Sequence, residues 1–249
     1  MMKKGIVLGA SSGIGMEVSR LLLADGWTLG VASRRIHLLQ ELKDQWPSQV
    51  EVAPIDVTSD DGERQLLELI GKVGGMDLFF YAPGIGHQNP SLEAGIEMST
   101  VETNALGFTR MIGAAYRYMA GHGGGHIAAI TSIAGTKGLG PAPSYSATKA
   151  FQNTYLQALE QLTNNQRLPI RITDIRPGFV DTALIADGNH YPMTLQKETV
   201  AREIMTAIGR RQHIRVIDWR WRIITALWRR VPRWVWRRLP LTSRKSTTE

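Results

Sequence analysis

The sequence predicts an α/β fold, in which a doubly wound parallel sheet lies between two layers of helices and so forms three layers in all. Short apolar runs alternate with amphipathic stretches along most of the chain, as right-handed crossovers between parallel strands require. The apolar runs are nearly continuous, which is typical of strands that are buried on both faces. Ligands are then expected beyond the carboxyl ends of the strands.

The elements follow from the period of the apolar residues. Runs rich in Val, Ile and Phe predict strands at about 5–10, 28–33, 50–56, 78–82, 126–132, 170–176 and, more weakly, 215–218. Stretches with a period of about 3.6 residues predict helices at about 14–25, 37–46, 60–73, 99–121, 145–164 and 198–209.

The composition of the chain, which has 249 residues, excludes several kinds of functional site. It has no cysteine, which excludes disulfides, thiolate metal sites and cysteine nucleophiles, and no His/Asp/Glu set has metal-ligand spacing. No apolar run is long enough to span a membrane as a helix. The first strand begins too near Met1 to leave room for a signal peptide, so we expect a cytoplasmic protein.

Charge divides the chain into two parts. Residues 210–249 hold 12 of the 29 basic residues and 2 of the 22 acidic ones, so residues 1–209 carry a net charge of −3. We therefore predict a mildly acidic α/β domain at 1–209 and a basic, amphipathic extension at 210–249.

The turn after the first strand has the composition of a phosphate-binding loop. Residues 9–15 read GASSGIG, and a predicted helix follows at once. Small residues let the backbone approach a pyrophosphate, and the helix directs its free N–H groups and positive dipole end at the anion. The spacing is a variant of the dinucleotide fingerprint. The predicted cofactor contacts in this turn are Gly9, Ser11, Ser12, Gly13, Ile14 and Gly15.

The end of the second strand indicates which dinucleotide binds. Arg34 and Arg35 stand about 20 residues after the glycine motif, where an acidic residue would bind a ribose 2′-OH and an arginine suits a 2′-phosphate. Residues 31–37 contain no acid, which favours NADP(H) over NAD(H). Asp56, followed by Val57, ends the third strand where it can meet the adenine.

Tyr145 and Lys149 lie one helical turn apart and so share a helix face. A phenol has a pKa of about 10, and a nearby ammonium favours the phenolate and lowers that pKa. The pair can act as a general acid/base. Most Tyr-x-x-x-Lys pairs are surface neighbours, but here Ser132 ends the fifth strand 13 residues earlier, at the ligand-binding edge of the sheet.

These motifs occur in the order typical of one family: GASSGIG at 9–15, Asn104, Ser132, Tyr145 with Lys149, and Pro177-Gly178. Over residues 4–209 the chain resembles the short-chain dehydrogenase/reductase family, in its shorter single-domain branch. The resemblance implies a Rossmann-type fold and a homodimer or homotetramer formed through the helices at 99–121 and 145–164.

The resemblance also implies roles for single residues. Tyr145 would be the catalytic acid/base, and Lys149 would hold the nicotinamide ribose and lower the tyrosine pKa. Ser132 would hydrogen-bond the substrate oxygen, and Asn104 would support a water in a proton relay. Further cofactor contacts are implied for Ala82, Gly84, Pro177, Gly178, Val180 and Thr182, the last two on the carboxamide side of the nicotinamide.

The chain departs from the family pattern after the fourth strand, where residues 81–84 read Tyr-Ala-Pro-Gly instead of Asn-Asn-Ala-Gly. The strand edge thereby loses amide side chains, and Pro83 lacks a backbone donor. Ser12 stands where NADP-using members often have a basic residue. The 2′-phosphate is then left to Ser11, Arg34 and Arg35.

The sequence thus predicts an NADP(H)-dependent oxidoreductase that interconverts a carbonyl and an alcohol, with a substrate pocket between residues 84–95 and 183–197. A nucleotide-binding sensor or scaffold without turnover is the alternative, although such a protein needs no proton relay. An epimerase or dehydratase would use the same Tyr/Lys pair, but the chain lacks a large C-terminal substrate domain.

The extension carries five of the seven tryptophans at 219–236, interleaved with arginines. Three interpretations fit the extension. It could pack against the body or a second subunit, with arginine stems over apolar surface, or it could form a helix on a membrane surface. The third is nucleic-acid binding, which we do not expect because the body has no reinforcing basic face. The residues on one helical face are Ile217, Trp221, Ile224, Trp228 and Val231.

Overall fold

A computed structural model describes residues 3–185 and 191–241. Over these ranges the strands form one seven-stranded sheet with the order β3-β2-β1-β4-β5-β6-β7, and every neighbouring pair is parallel. This confirms the predicted doubly wound α/β fold. The strands are β1 (Lys4–Leu8), β2 (Thr28–Ala32), β3 (Val50–Ala53), β4 (Leu78–Tyr81), β5 (Gly125–Ile130), β6 (Ile170–Arg176) and β7 (Ile214–Val216).

Helices cover both faces of the sheet. One core lies under α1, α2 and α7, and the other lies under α3, α5 and α6. The helices are α1 (Gly13–Ala24), α2 (Ile36–Gln45), α3 (Gly62–Val73), α4 (Ala94–Val101), α5 (Phe108–Gly121), α6 (Pro143–Asn165), α7 (Lys197–Gly209), α8 (Trp219–Arg230) and α9 (Arg233–Trp236).

The central strand β4 shows why the strand runs are continuously apolar. Successive side chains of a strand point to opposite faces, so Phe79 and Tyr81 join the core beneath α3, α5 and α6, while Leu78 and Phe80 join the core on the other face. All four are buried, because helices cover both sides.

The helix predicted at 99–121 begins earlier and is interrupted. It starts as α4 at Ala94, passes through a π-helical turn at Glu102–Gly107, and continues as α5. A Cβ on Gly107 would lie 2.9 Å from the carbonyl oxygen of Val57, so the glycine lets the helix approach the segment that follows β3. Wide π turns are frequent at functional sites, and this one carries Asn104.

The segment 210–249 continues the sheet before it forms helices. Its strand β7 pairs with β6, and α8 then begins after Asp218, whose side chain accepts a hydrogen bond from the backbone N–H of Arg220 at 2.7 Å. Sheet and extension are therefore joined by the hydrogen bonds between β6 and β7 rather than by a linker.

Along the described ranges of the chain, no helix combines the length and apolar character needed to cross a membrane.

Candidate active site

A cavity of about 940 Å³ lies beyond the carboxyl ends of the central strands. Every residue predicted to contact a cofactor lines this cavity, as do three of the four predicted catalytic residues. The exception is Asn104, which is fully buried behind it. The structure therefore brings together side chains that come from seven separate stretches of sequence.

The glycine turn has the geometry that a closely bound anion needs. Gly9 has φ +77° and Gly13 has φ +57°, a region that glycine adopts without strain. A Cβ on Gly15 would lie 2.3 Å from the carbonyl oxygen of Gly9, so only glycine lets α1 begin this close to β1. The positive end of the α1 dipole consequently faces the cavity.

Two basic side chains and one acidic side chain flank this turn. The guanidinium of Arg35 donates to the hydroxyls of Ser12 at 2.7 Å and Ser11 at 3.1 Å. Burial acts to raise the pKa of Asp56, but hydrogen bonds from Thr58 and the charge of Arg34 outweigh it and hold the pKa below its usual value. The turn thus carries two positive charges at its mouth and a carboxylate beside them.

The Tyr145 ring lines the cavity and packs against the loop after β4. A Cβ on Gly86 would lie 2.5 Å from a ring carbon of Tyr145, so this glycine leaves space for the ring. Burial raises the pKa of the Tyr145 hydroxyl, and a hydrogen bond with Ser132 opposes that rise. The serine hydroxyl is itself positioned by the backbone N–H of Ala134, which donates to it at 3.0 Å.

Lys149 lies beneath the tyrosine and is 3% exposed. Its Nζ is 5.7 Å from the centroid of the Tyr145 ring and donates to Gln152 Oε1 at 3.0 Å and to the carbonyl oxygen of Ile130 at 3.4 Å. Burial lowers the pKa of Lys149 to about 8, and the charge of Asp174 opposes the fall.

These pKa directions differ from the expectation that the lysine lowers the tyrosine pKa. In the protein alone, loss of water around the phenol outweighs the hydrogen bond with Ser132, and the pKa of Tyr145 is raised. The physical reason is that one buried environment disfavours the charged form of both groups. Tyr145 is therefore a neutral phenol at neutral pH.

Asn104 braces a loop and does not reach the cavity. Its side-chain oxygen accepts from the N–H of Ile85 at 3.0 Å, and its side-chain nitrogen donates to the Ile85 carbonyl at 2.7 Å. These bonds fix the loop after β4, where residues 81–84 lack the amide side chains of the family pattern. Its own carbonyl accepts from Gln152 Nε2 at 2.8 Å.

Gln152 is the residue of this network that sequence analysis missed. It is fully buried and links Lys149 to the Asn104 carbonyl through its two side-chain ends. The available signal was its position three residues after Lys149, on the same helix face. Gln152 thus connects the π-helical turn to the buried lysine.

A buried ion pair supports the end of β6. Arg176 Nε donates to Asp174 Oδ2 at 2.8 Å, and both side chains are at least nine-tenths buried. The Thr131 hydroxyl donates to the same carboxylate. These bonds therefore join the end of β6 to the end of β5, which leads directly into Ser132.

The other side of the cavity contains residues that the sequence did not place there. The predicted pocket segments contribute residues 84–88, 183–185 and 191–192, while residues 186–190 lie outside those that the structure describes. The C-terminal segment adds a set for which the sequence left packing, a membrane surface and nucleic-acid binding open. These cavity-lining residues are Trp221, Trp228, Val231, Trp236, Leu239 and Leu241.

Comparison with known proteins identifies the family. The family model for short chain dehydrogenases matches residues 3–191. The chain belongs to the short-chain dehydrogenase family. This confirms the resemblance seen in the sequence and makes the protein an oxidoreductase of that family.

Relatives in two bacteria have similar lengths. An uncharacterized oxidoreductase of Myxococcus xanthus (strain DK1622) is 31% identical over 203 residues, which cover 79% of each chain. An uncharacterized oxidoreductase of Mycobacterium tuberculosis (strain CDC 1551 / Oshkosh) is 28% identical over 227 residues, which cover 87% of this chain and 88% of the relative.

Solved structures show the same fold. An alcohol dehydrogenase from Thermococcus sibiricus, complexed with 5-hydroxy-NADP, matches with a TM-score of 0.76 at 22% identity, over 87% of this chain and 96% of that one. A short-chain dehydrogenase/reductase from Burkholderia phymatum in complex with NAD matches with a TM-score of 0.81 at 18% identity, over 91% and 92%.

Replacing the buried Lys149 with an apolar residue should make the folded protein more stable. Its folded pKa of about 8 lies below the ordinary value, so the charged form is disfavoured in the fold. This cost to the free energy of folding is fully present below pH 8. It disappears as the pH rises towards the pKa that the lysine has in the unfolded chain. Lys149→Met should therefore raise the free energy of unfolding at pH 7 by about 1–3 kcal/mol.

Urea unfolding at pH 7 and at pH 10 measures this effect. The gain from Lys149→Met should be smaller at pH 10, because the folded lysine is then largely neutral. Lys72→Met, at an exposed lysine of α3, is the control and should change stability little at either pH. A Lys149→Met variant less stable than the parent at pH 7 would contradict the account.

Proposed function

We propose that this short-chain dehydrogenase interconverts a carbonyl and an alcohol by hydride transfer, with NADP(H) in preference to NAD(H) and Tyr145 as the general acid/base. One observation carries the proposal: Ser132, Tyr145 and Lys149 line the same cavity as the glycine turn. A protein that only binds a nucleotide has no use for a proton donor and a buried ammonium at that place.

The residues present fit a dinucleotide. The close approach of Gly15 to the Gly9 carbonyl keeps the turn narrow enough for backbone N–H groups to hold a pyrophosphate. Arg34 and Arg35 would bind the 2′-phosphate, and Lys149 would hold the nicotinamide ribose. The bound nicotinamide coenzyme supplies or accepts the hydride.

The protein's own part in reduction is to orient the carbonyl and to supply a proton. Ser132 and Tyr145 would donate hydrogen bonds to the carbonyl oxygen, and this stabilises the negative charge that develops on it. Because the pKa of Tyr145 is raised, the phenol holds its proton at neutral pH and can give it to that oxygen. The charge of Lys149 then stabilises the phenolate that is left.

Removal of the phenolic hydroxyl tests the role of Tyr145. Tyr145→Phe should lower kcat for carbonyl reduction by about 10²–10⁴-fold, the usual contribution of a general acid. It should leave the Kd for NADPH, measured by coenzyme fluorescence, within about threefold of the parent. Tyr118→Phe, on α5 away from the cavity, is the matched control.

Two results would count against this proposal. Retained turnover in Tyr145→Phe would remove the tyrosine from the mechanism. Tight NADPH binding with no oxidation of NADPH across ketones, aldehydes, steroids, sugars and acyl thioesters would instead favour the nucleotide-binding sensor.

The arginines at the end of β2 should set the coenzyme preference. Replacing Arg34 and Arg35 together by glutamine should weaken NADPH binding by about 10–100-fold, because charge-assisted hydrogen bonds to a phosphate are lost. NADH binding should change by less than about threefold, since NADH has no 2′-phosphate. Arg20→Gln, on the exposed side of α1, is the control for a general loss of positive charge.

Isothermal titration of both coenzymes measures these changes. An equal loss of NADH and NADPH affinity in the double variant would show that the arginines support the fold of the turn. NADH binding tighter than NADPH binding in the parent protein would overturn the coenzyme preference itself.

We also propose that the protein forms a homodimer or homotetramer through α4, α5 and α6. Large apolar side chains are exposed on and between these helices: Met98, Val101, Leu106, Phe151 and Leu162. Contact with a second copy would remove this apolar surface from water and so stabilise the oligomer.

Multi-angle light scattering should give the mass of two or four chains for the parent protein. Phe151→Glu should shift the measured mass towards that of one chain, because a charge would then be buried in the interface. A parent mass of one chain would contradict the proposal.

The outward side of α8 and α9 is compatible with two of the interpretations made from sequence. Trp219, Leu227 and Trp234 are exposed there among arginines. This mixture suits a membrane surface rich in anionic lipid and equally a second subunit. Membrane association therefore stays a prediction.

A further inference from the structure

One wall of the cavity is a continuous row of aromatic rings. The row runs from Tyr191 to Phe179, Trp221, Trp228 and Trp236, with ring-centroid distances of 4.7, 5.6, 6.2 and 5.5 Å between successive members. All five residues line the cavity. Three of them come from α8 and α9, so the C-terminal segment supplies most of this wall.

Specific contacts fix the wall over the cavity. A Cβ on Gly178 would lie 2.2 Å from Trp221 Nε1, so this glycine lets the indole pack on the backbone at the end of β6. Trp236 Nε1 donates to the Gly138 carbonyl at 2.7 Å, and Lys137 Nζ donates to the Val231 carbonyl at 3.0 Å. The helices α8 and α9 are thus tied to the loop that follows Ser132.

The side of the cavity formed by this wall lacks charge. The charged residues that line the described part of the cavity are Arg34, Arg35 and Asp56 beside the glycine turn, and Lys149 beneath Tyr145. The arginines of α8 and α9 do not line it. Lys137 Nζ lies 6.0 Å from the centroid of the Trp236 ring, but Lys137 does not line the cavity and already donates to the Val231 carbonyl. A carboxylate on the substrate would leave water here without a charged partner in the lining, which is costly, whereas apolar surface gains from burial.

We infer that the substrate is an uncharged carbonyl or alcohol with an extended apolar or aromatic part, which lies along the row from Phe179 to Trp236. The inference rests on the proposed function for the reacting end of the molecule, which Ser132 and Tyr145 would hold. The rings would provide broad, rigid contact area at little cost in conformational freedom. Trp228, which lies between Trp221 and Trp236 in the row, determines how well a long apolar chain binds.

A matched pair of ligands tests this inference. The neutral ligand is a ten-carbon methyl ketone, and its partner is the keto acid of the same length with a terminal carboxylate. Isothermal titration calorimetry is carried out on the full chain, with and without NADPH. The neutral ketone should bind at least about tenfold more tightly than the keto acid, because the carboxylate would be desolvated without a partner.

Matched tryptophan variants locate the effect on the wall. Trp228→Ala should weaken binding of the ten-carbon ketone about 10–100-fold, since most of the buried apolar contact of one large side chain is lost. Trp234→Ala, which removes an exposed tryptophan of α9 that does not line the cavity, should leave the affinity unchanged. Trp236→Ala is a second wall variant in case Trp228→Ala does not fold, as judged by circular dichroism.

The outcomes separate this inference from the proposed function. Equal binding of the two ligands, or equal loss in the Trp228→Ala and Trp234→Ala variants, would overturn the inference. Equal kcat/KM for acetone and for the ten-carbon ketone would also overturn it while leaving the proposed function intact. Binding that follows the predicted pattern without NADPH oxidation would support the substrate class while contradicting the proposed reaction.

Discussion

A lysine buried beneath a tyrosine is the feature around which the Tyr145 side of the cavity is organised in this short-chain dehydrogenase. Lys149 has almost no contact with solvent, so its charge must be supported by protein groups or lost. Gln152 and the Ile130 carbonyl accept its hydrogen bonds, and Asp174 supplies an opposite charge. A protein selected for stability alone would replace this ammonium with an apolar group, and its retention therefore points to a function.

The same network explains how the chain accommodates its unusual sequence after β4. The family pattern places amide side chains there, and residues 81–84 have none. Asn104, which the chain shares with the family pattern, holds the backbone of Ile85 from the π-helical turn at both its N–H and its carbonyl. Because Gln152 joins the Asn104 carbonyl to Lys149, the loop, the π turn and the lysine are positioned together.

Local patterns predicted the fold and the side of the cavity that runs from the glycine turn to Tyr145 and Lys149, because period, turn composition and strand ends depend on neighbouring residues. Two results required tertiary information. The raised pKa of Tyr145 depends on how much water the fold removes, which no spacing reveals. The face of Trp221 and Trp228 was visible as a helical stripe, yet sequence could not show that the stripe faces the cavity, since that direction is set by β7 and by the turn at Asp218.

That turn decides where the C-terminal segment points. Asp218 has φ +72°, a strained value for a residue other than glycine, and its carboxylate accepts hydrogen bonds from the backbone and the guanidinium of Arg220. These bonds stabilise a sharp reversal directly after Ile217, which β6 anchors through the Arg176 carbonyl. The helix that follows must then return across the carboxyl ends of the strands. Trp221 and Trp228 consequently meet the cavity, while the arginines of the helix do not line it. One short segment thus gives the protein both an apolar wall inside and a cluster of positive charge outside.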